Sequence, residues 1–242
     1  MRKVLFTLFV AYAGLASGTG LNPSPPPSAP ISAVAEVAPD VMLRNATAAL
    51  AVTLAPDIDC KTNTPAQVAA LAEPTLLPLF DFGRMTELAV ARNWRAASPS
   101  QQSALVAEFR KLLVRTYAMT LTSCRSHNIE YKPLHLAATT TAVTVKSVVT
   151  QPGSGRRTID YDMERTATGW KANDIWLDGV SMVASYQSFF AQTVRAVGLD
   201  GLIKVIAAKN RLADAGLGAH ESNARIIIFL HTIVPSVMRS SQ

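Results

Sequence analysis

The sequence has little charge, few aromatic residues and no long hydrophobic run. Charged residues make up 17% of the 242 residues and aromatic residues 7%, whereas hydrophobic residues reach 49%. That apolar fraction excludes a chain that is disordered throughout. No apolar run approaches the roughly 20 residues of a membrane-spanning helix. We therefore expect one large globular domain, with or without tails.

Cysteine is also scarce, since the chain has only Cys60 and Cys124. Neither belongs to a C-x-x-C pair, which argues against a redox or zinc centre. Whether the two form a disulfide depends on their distance in the fold, so the sequence leaves that question open.

Motifs for catalysis are missing. The four histidines show no metal-ligand spacing, and there is no nucleophile elbow, P-loop or dinucleotide-binding glycine motif. Asp160, Asp162 and Glu164 lie on one face of a predicted strand, where a solvated surface explains them more simply than a cation site. We predict no catalytic residue, no metal and no cofactor. His127 or His135 is the candidate base if the protein is instead an exported enzyme acting on an apolar substrate.

The chain is basic, with 23 Lys and Arg against 17 Asp and Glu, a net charge of +6. These residues are scattered, which favours a solvated surface over a nucleic-acid site. Arg156 and Arg157 form an adjacent pair. We expect them to be exposed in the turn between two strands, either as a solvated hairpin tip or as a patch that steers an anionic partner.

The first residues are typical of a secretory signal peptide. Arg2 and Lys3 precede an apolar stretch that runs to Ala16, and small residues follow at 16–18. The alternative is a buried N-terminal helix. We predict a signal peptide over 1–18, a proline-rich spacer over 19–33, a folded domain over 34–212 and an appended tail over 213–242. The tail has a strongly apolar run at 226–230, and either packs on the fold or contacts another surface.

Helix signals dominate the first half of the domain. We predict helices from Pro39, from Pro65 and from Pro99, because proline is favoured in the first helical turn. Ser98 with Gln101 has the pattern of a capping box, and Asp81 is placed to cap a short helix.

The apolar period changes from 3.6 to 2 after residue 124. Successive hairpins between 129 and 177 predict an antiparallel sheet with one apolar face, followed by two helices on either side of Gly198. This order indicates the α+β class.

A ligand pocket is expected where the apolar stripe of the helix from Pro99 faces the apolar side of the sheet. A closed structural core has the same pattern, so periodicity leaves both interpretations open. The predicted wall residues are Leu113, Tyr117 and Leu121 on the helix, and Val143, Val145, Tyr161 and Met163 on the sheet.

Several segments resemble the MlaC family of periplasmic phospholipid carriers, also called the toluene-tolerance or ABC-transporter auxiliary family. LPLFDFGRM at 77–85 resembles its L-P-x-[FV]-D-F-x-R-M segment. Further similar stretches lie at 94–118, at 169–181 and in the closing helices to residue 203. The departures are the proline-rich spacer, Asp178 where the family often has Glu, both cysteines and the tail after Asn210.

The resemblance implies a curved antiparallel sheet covered by helices, with an apolar lipid cavity between the layers. It also implies a monomeric periplasmic carrier with a bound phospholipid as cargo. Its partners would be an inner-membrane complex of MCE domains with an ABC transporter and an outer-membrane lipoprotein–porin complex, and its role the maintenance of outer-membrane lipid asymmetry. Beside the carrier and the enzyme, a structural envelope protein with a dry core stays open as a third interpretation.

Overall fold

The computed structural model describes residues 37–54, 65–121, 128–151 and 155–214. The predicted signal peptide and spacer, Cys60, Cys124, His127 and the tail beyond residue 214 lie outside the described residues, as do the side chains of Tyr117 and Leu121. Within the described segments, no helix is long and apolar enough to cross a bilayer.

Helices come first in the chain, then strands, then one long helix. The helices are α1 (Pro39–Leu54), α2 (Pro65–Ala72), a 3-10 turn (Leu77–Leu79), α3 (Phe82–Val90), a 3-10 helix (Ala91–Ala96), α4 (Pro99–Leu121) and α5 (Met182–Asp214). The strands are β1 (Asn128–Tyr131), β2 (Ala142–Val145), β3 (Ser147–Gln151), β4 (Gly155–Thr166), β5 (Gly169–Leu177) and β6 (Val180–Ser181).

The predicted helix starts are confirmed, since Pro39, Pro65 and Pro99 are each the first residue of a helix. The capping box is present in full. The Ser98 N–H donates to Gln101 Oε1 at 3.0 Å, and the Gln101 N–H donates to Ser98 Oγ at 3.2 Å. These bonds satisfy backbone groups that a helix start leaves without intrahelical partners.

The strands form an antiparallel sheet, as predicted, and β4 is its centre. β5 pairs with one edge of β4, while β2 and β3 pair with successive parts of the other edge. β1 extends the sheet beyond β3, and β6 extends it beyond β5. The α+β class is therefore confirmed.

Arg156 and Arg157 are exposed, as predicted, but their placement in the turn is wrong because β4 already begins at Gly155. Arg157 is also held at the sheet, since its Nε donates to Asp178 Oδ2 at 2.7 Å. The hairpin extends further than the sequence indicates, because Gln151 pairs directly with Gly155.

A second layer of core lies among α3, α4 and α5. Phe109 of α4 contacts Tyr186 and Phe190 of α5 edge-on, with ring centroids 5.0 and 5.1 Å apart. Gly198 interrupts α5 with φ 72° and ψ −178°, at the position where the sequence predicts two helices. The break lets both halves of α5 contribute to this layer, through Phe190 on one side and Leu202 on the other.

Candidate functional site

The apolar face of the sheet brings four of the predicted wall residues together. Val143 lies opposite Met163 and Val145 lies opposite Tyr161, so the four form two cross-strand pairs on β2 and β4. Val145, Tyr161 and Met163 are buried and Val143 is half-buried. Side chains on alternate positions share one face, so the period of two in these strands is the reason for the grouping.

Helix α1 contacts this face. Leu43 is fully buried against the strand residues. The Tyr131 hydroxyl donates to Thr47 Oγ1 at 3.2 Å, and the Arg44 guanidinium lies 5.9 Å from the centre of the Tyr131 ring. Burial raises the pKa of both Tyr131 and Tyr161, so both phenols are neutral at physiological pH and act as polar groups within an apolar region.

The predicted residues of α4 lie elsewhere or outside the described part. Leu113 is buried among the helices, in the same cluster as Phe109 and Phe190, and not in the cluster of the four strand residues. The side chains of Tyr117 and Leu121 are not described. The structure therefore brings the four predicted wall residues of the sheet together and places α1 against them. That these residues line a ligand pocket stays a prediction.

The segment between α2 and α3 connects the apolar regions. Phe80 packs against the helical cluster, against the sheet cluster and against a third cluster formed by Leu50, Leu76 and their neighbours. Its position is set by the backbone, because the Asp81 N–H donates to the Ala172 carbonyl at 2.8 Å. Apolar packing is thus continuous from the sheet through Phe80 to the cluster that α1, α2 and α4 form.

The N-terminus of α5 is tied to the sheet by a buried carboxylate. Asp174 Oδ1 accepts the N–H of Ile175 at 2.7 Å and the N–H of Val183 at 3.1 Å, and Oδ2 accepts the Ser181 hydroxyl. Burial raises the pKa of Asp174 against the effect of these donors. This carboxylate therefore positions the start of α5 against the sheet.

The polar side chains singled out by the sequence have structural partners. Asp162 accepts from Thr144 Oγ1 at 2.6 Å and from Trp176 Nε1 at 2.7 Å. Asp160 accepts the Ser147 N–H at 3.2 Å, and Glu164 pairs with Arg84 at 3.4 Å. Among the described residues, no group of three or more His, Cys, Asp or Glu side chains is arranged to hold a metal. His135 is exposed.

Sequence reasoning missed several residues of the sheet cluster, among them Leu43, Phe80, Tyr131 and Trp170. Tyr131 and Trp170 lie on strands in which apolar and polar residues alternate, so this alternation could have predicted both. Leu43 could not be predicted in this way, because an alanine-rich helix such as α1 has no narrow apolar stripe that marks one face. Phe80 lies in the segment 77–85 that resembles the family, but its contacts depend on the β-bridge that it forms with the distant Ala172.

Two comparisons with known proteins cover most of the chain. The family model described as MlaC protein matches residues 44–208. The fold is similar to that of a phospholipid-binding protein from Ralstonia solanacearum, solved in complex with a phospholipid, with a TM-score of 0.65 and 31% sequence identity. That match covers 71% of this chain and 96% of the Ralstonia chain. Because the family model spans more than half of the sequence, this chain belongs to the MlaC family.

Proposed function

We propose that this protein binds a phospholipid and carries it through an aqueous compartment. The observation that carries the proposal is the structural similarity to the Ralstonia protein, which was solved with a phospholipid bound. The match covers 96% of the Ralstonia chain. The apolar surface that continues from the sheet face through Phe80 to α1 and α2 supports it. The acyl chains would lie against Val143, Val145, Tyr161 and Met163, with α1 covering them.

The physical need for such a carrier lies in the acyl chains. Each methylene that is transferred from water to an apolar environment contributes about 0.8 kcal/mol. Two chains of roughly 15 methylenes therefore represent about 24 kcal/mol, which keeps free lipid from crossing water at a useful rate. A protein that replaces water by apolar side chains removes that barrier without any catalytic group, so we infer a carrier and not an enzyme.

The finer parts of the proposal follow from the family. The signal peptide pattern at 1–18 supports export to the periplasm. We propose that the protein receives or delivers lipid at an inner-membrane complex of MCE domains with an ABC transporter and at an outer-membrane lipoprotein–porin complex. Transfer between vesicles carrying one complex each, measured with and without this protein, tests the shuttle.

Native mass spectrometry tests lipid binding. Protein purified without detergent should carry the added mass of one phospholipid. Val145→Trp should reduce that occupancy several-fold, because the indole would take the volume that the acyl chains need against β2, and this loss should exceed the loss of folded protein. Full lipid occupancy together with lost stability would mean that Val145 belongs to a closed core.

The matched control is Val148→Trp. Val148 lies on β3, at an even position that alternation places on the other side of the sheet from Val145 and Val149. This variant adds the same indole to β3, the strand that pairs with β4 beside β2, and should leave lipid occupancy unchanged. An equal loss of lipid in both variants would show that the effect comes from disturbing the sheet.

A further inference from the structure

Three arginines of the helical layer have no partner among the described residues. They are Arg92 and Arg95 on the 3-10 helix that follows α3, and Arg195 on α5. All three are exposed, and none forms a hydrogen bond or an ion pair with another described residue. Other arginines are compensated, since Arg84 and Arg157 each pair with a carboxylate. The charge of these three is therefore left to the solvent or to a partner.

The fold brings the three arginines to one surface, the arginine patch. A 3-10 helix has three residues per turn, so Arg92 and Arg95 lie on the same side of it. This 3-10 helix packs against α5. Gln187 of α5 donates through Nε2 to the Leu88 carbonyl near the end of α3 at 3.0 Å. Arg195 follows Gln187 by two steps of four residues along the same ridge of α5, and therefore lies on the side of α5 that borders the 3-10 helix.

Nearby carboxylates do not neutralise the arginine patch. The two acidic residues closest to it in sequence are Glu87 and Asp200. Glu87 pairs with Arg84 at 2.9 Å, and Asp200 Oδ1 accepts from Gln101 Nε2 at 2.7 Å. An amide donor leaves the charge of Asp200 in place, so three arginines against one carboxylate give an excess of two positive charges. Such an excess favours an anionic partner.

Trp94 supplies a second, independent observation. It lies between Arg92 and Arg95 in the 3-10 helix, and its half-buried ring packs against the cluster of α3, α4 and α5. The indole N–H has no hydrogen-bond partner among the described residues and is not buried. A ring that packs on apolar side chains while its N–H faces outward is the placement that tryptophan favours at a membrane surface.

We propose that the arginine patch docks the protein on an anionic bilayer surface. Each guanidinium can donate two parallel hydrogen bonds to a lipid phosphate, and the Trp94 N–H lies at the level of the headgroups. A bilayer suits cations on two separate elements, because its phosphates move laterally and need no fixed arrangement. Docking goes beyond the proposed function and is measured separately from lipid occupancy, so either can fail alone.

Co-sedimentation of the purified protein with lipid vesicles tests the docking. Phosphatidylcholine vesicles with about 30% phosphatidylglycerol should bind it at about 20 mM salt, and more weakly at about 150 mM, because salt screens the attraction. Arg92→Gln, Arg95→Gln and Arg195→Gln should each weaken binding about 5-fold, and the triple variant about 100-fold. The matched control is Arg156→Gln, which removes an exposed arginine of β4 that also lacks a described partner, and should change nothing.

Three results would overturn the proposal. Equal binding to vesicles of phosphatidylcholine alone would mean that an apolar segment, such as the run at 226–230, holds the protein. An equal loss in Arg156→Gln would mean that net charge alone explains the binding. No binding to the anionic vesicles would refute a membrane role and leave an acidic protein as the partner to test.

Tryptophan fluorescence locates the contact. Emission should shift to the blue when anionic vesicles are added, and Trp94→Phe should abolish the shift while keeping an aromatic ring in the packing. Trp176→Phe is the control and should keep the shift, because Trp176 lies on the sheet with its Nε1 bonded to Asp162. A shift that persists in Trp94→Phe would contradict a contact through this surface. Native mass spectrometry of the same variants reads the cargo: a protein that never carries phospholipid refutes the proposed function, and leaves the vesicle binding to decide the docking.

Discussion

At the scale of single residues, Ala91 has a backbone conformation that suits glycine. It ends α3 with φ 52° and ψ −128°, where its N–H donates to the Glu87 carbonyl. A side chain is rarely found in this region, and such strain costs about 1–3 kcal/mol. The position lies at the surface and is set by the reversal between α3 and the following 3-10 helix.

Ala91→Gly should therefore stabilise the protein. Relief of strain exceeds the entropy that glycine loses on folding, about 0.5–1 kcal/mol, so we expect the free energy of unfolding to rise by about 1 kcal/mol. The midpoint of urea unfolding measures the change. Ala96→Gly is the control, because Ala96 is exposed in the same 3-10 helix without a positive φ, and should lower the midpoint. Equal losses in both variants would contradict the strain.

The raised pKa of Asp174 makes the free energy of unfolding depend on pH. Burial raises its pKa in the folded protein above the unfolded value of about 3.9. The folded state then binds more protons in the window between the two pKa values, so the free energy of unfolding falls as pH rises through the folded pKa. Asp174→Asn keeps an acceptor for the Val183 N–H, and should remove this fall. Urea unfolding between about pH 3.5 and 7 measures it.

Asp178 provides a control of opposite sign. The Thr158 N–H and the Arg157 guanidinium lower its pKa, so its contribution is present above the unfolded pKa and is lost as pH falls through the folded one. Asp178→Asn should therefore lessen the loss of stability in acid. If both variants changed the pH profile in the same direction, the assignment of one pKa shift to burial and the other to donors would be wrong.

At the scale of elements, the break in α5 depends on two glycines with different roles. Gly198 has a positive φ of 72°, where a side chain would be strained. Gly201 has ordinary helical geometry, but a Cβ there would lie 2.4 Å from Val197 Cγ2. The first glycine allows the break, and the second allows the two halves to approach each other across it.

A double-mutant cycle tests the close approach at Gly201. Gly201→Ala should lower the free energy of unfolding by about 1–3 kcal/mol, because Val197 must shift. Val197→Ala alone should cost less, and the double variant should recover about 1 kcal/mol of the summed losses. The free energies of unfolding of the three variants give the coupling. Simple additivity would show that the contact does not limit the packing of α5.

At the scale of the whole molecule, the sequence by itself determined the elements and the faces they bury. Proline at each helix start, the capping box and the alternation in β2 and β4 are local signals, because they depend on residues within a few positions of one another. They place Val143, Val145, Tyr161 and Met163 on one face, and the strand pairing confirms it. They also predicted the break at Gly198.

Only the tertiary structure decided which elements face one another. The apolar stripe of α4 is satisfied by α3 and α5, where Leu113 is buried, while Leu43 of α1 lies against the sheet. Periodicity states that a face is buried but not against what, because any apolar face of suitable shape removes the same area from water. The bridge between Phe80 and Ala172 and the hydrogen bond from Asn210 Nδ2 to the Glu108 carbonyl join residues that are about 90 and about 100 positions apart in the chain. No local pattern in the sequence contains contacts over such separations, which is why the way the layers join is decided only in the folded chain.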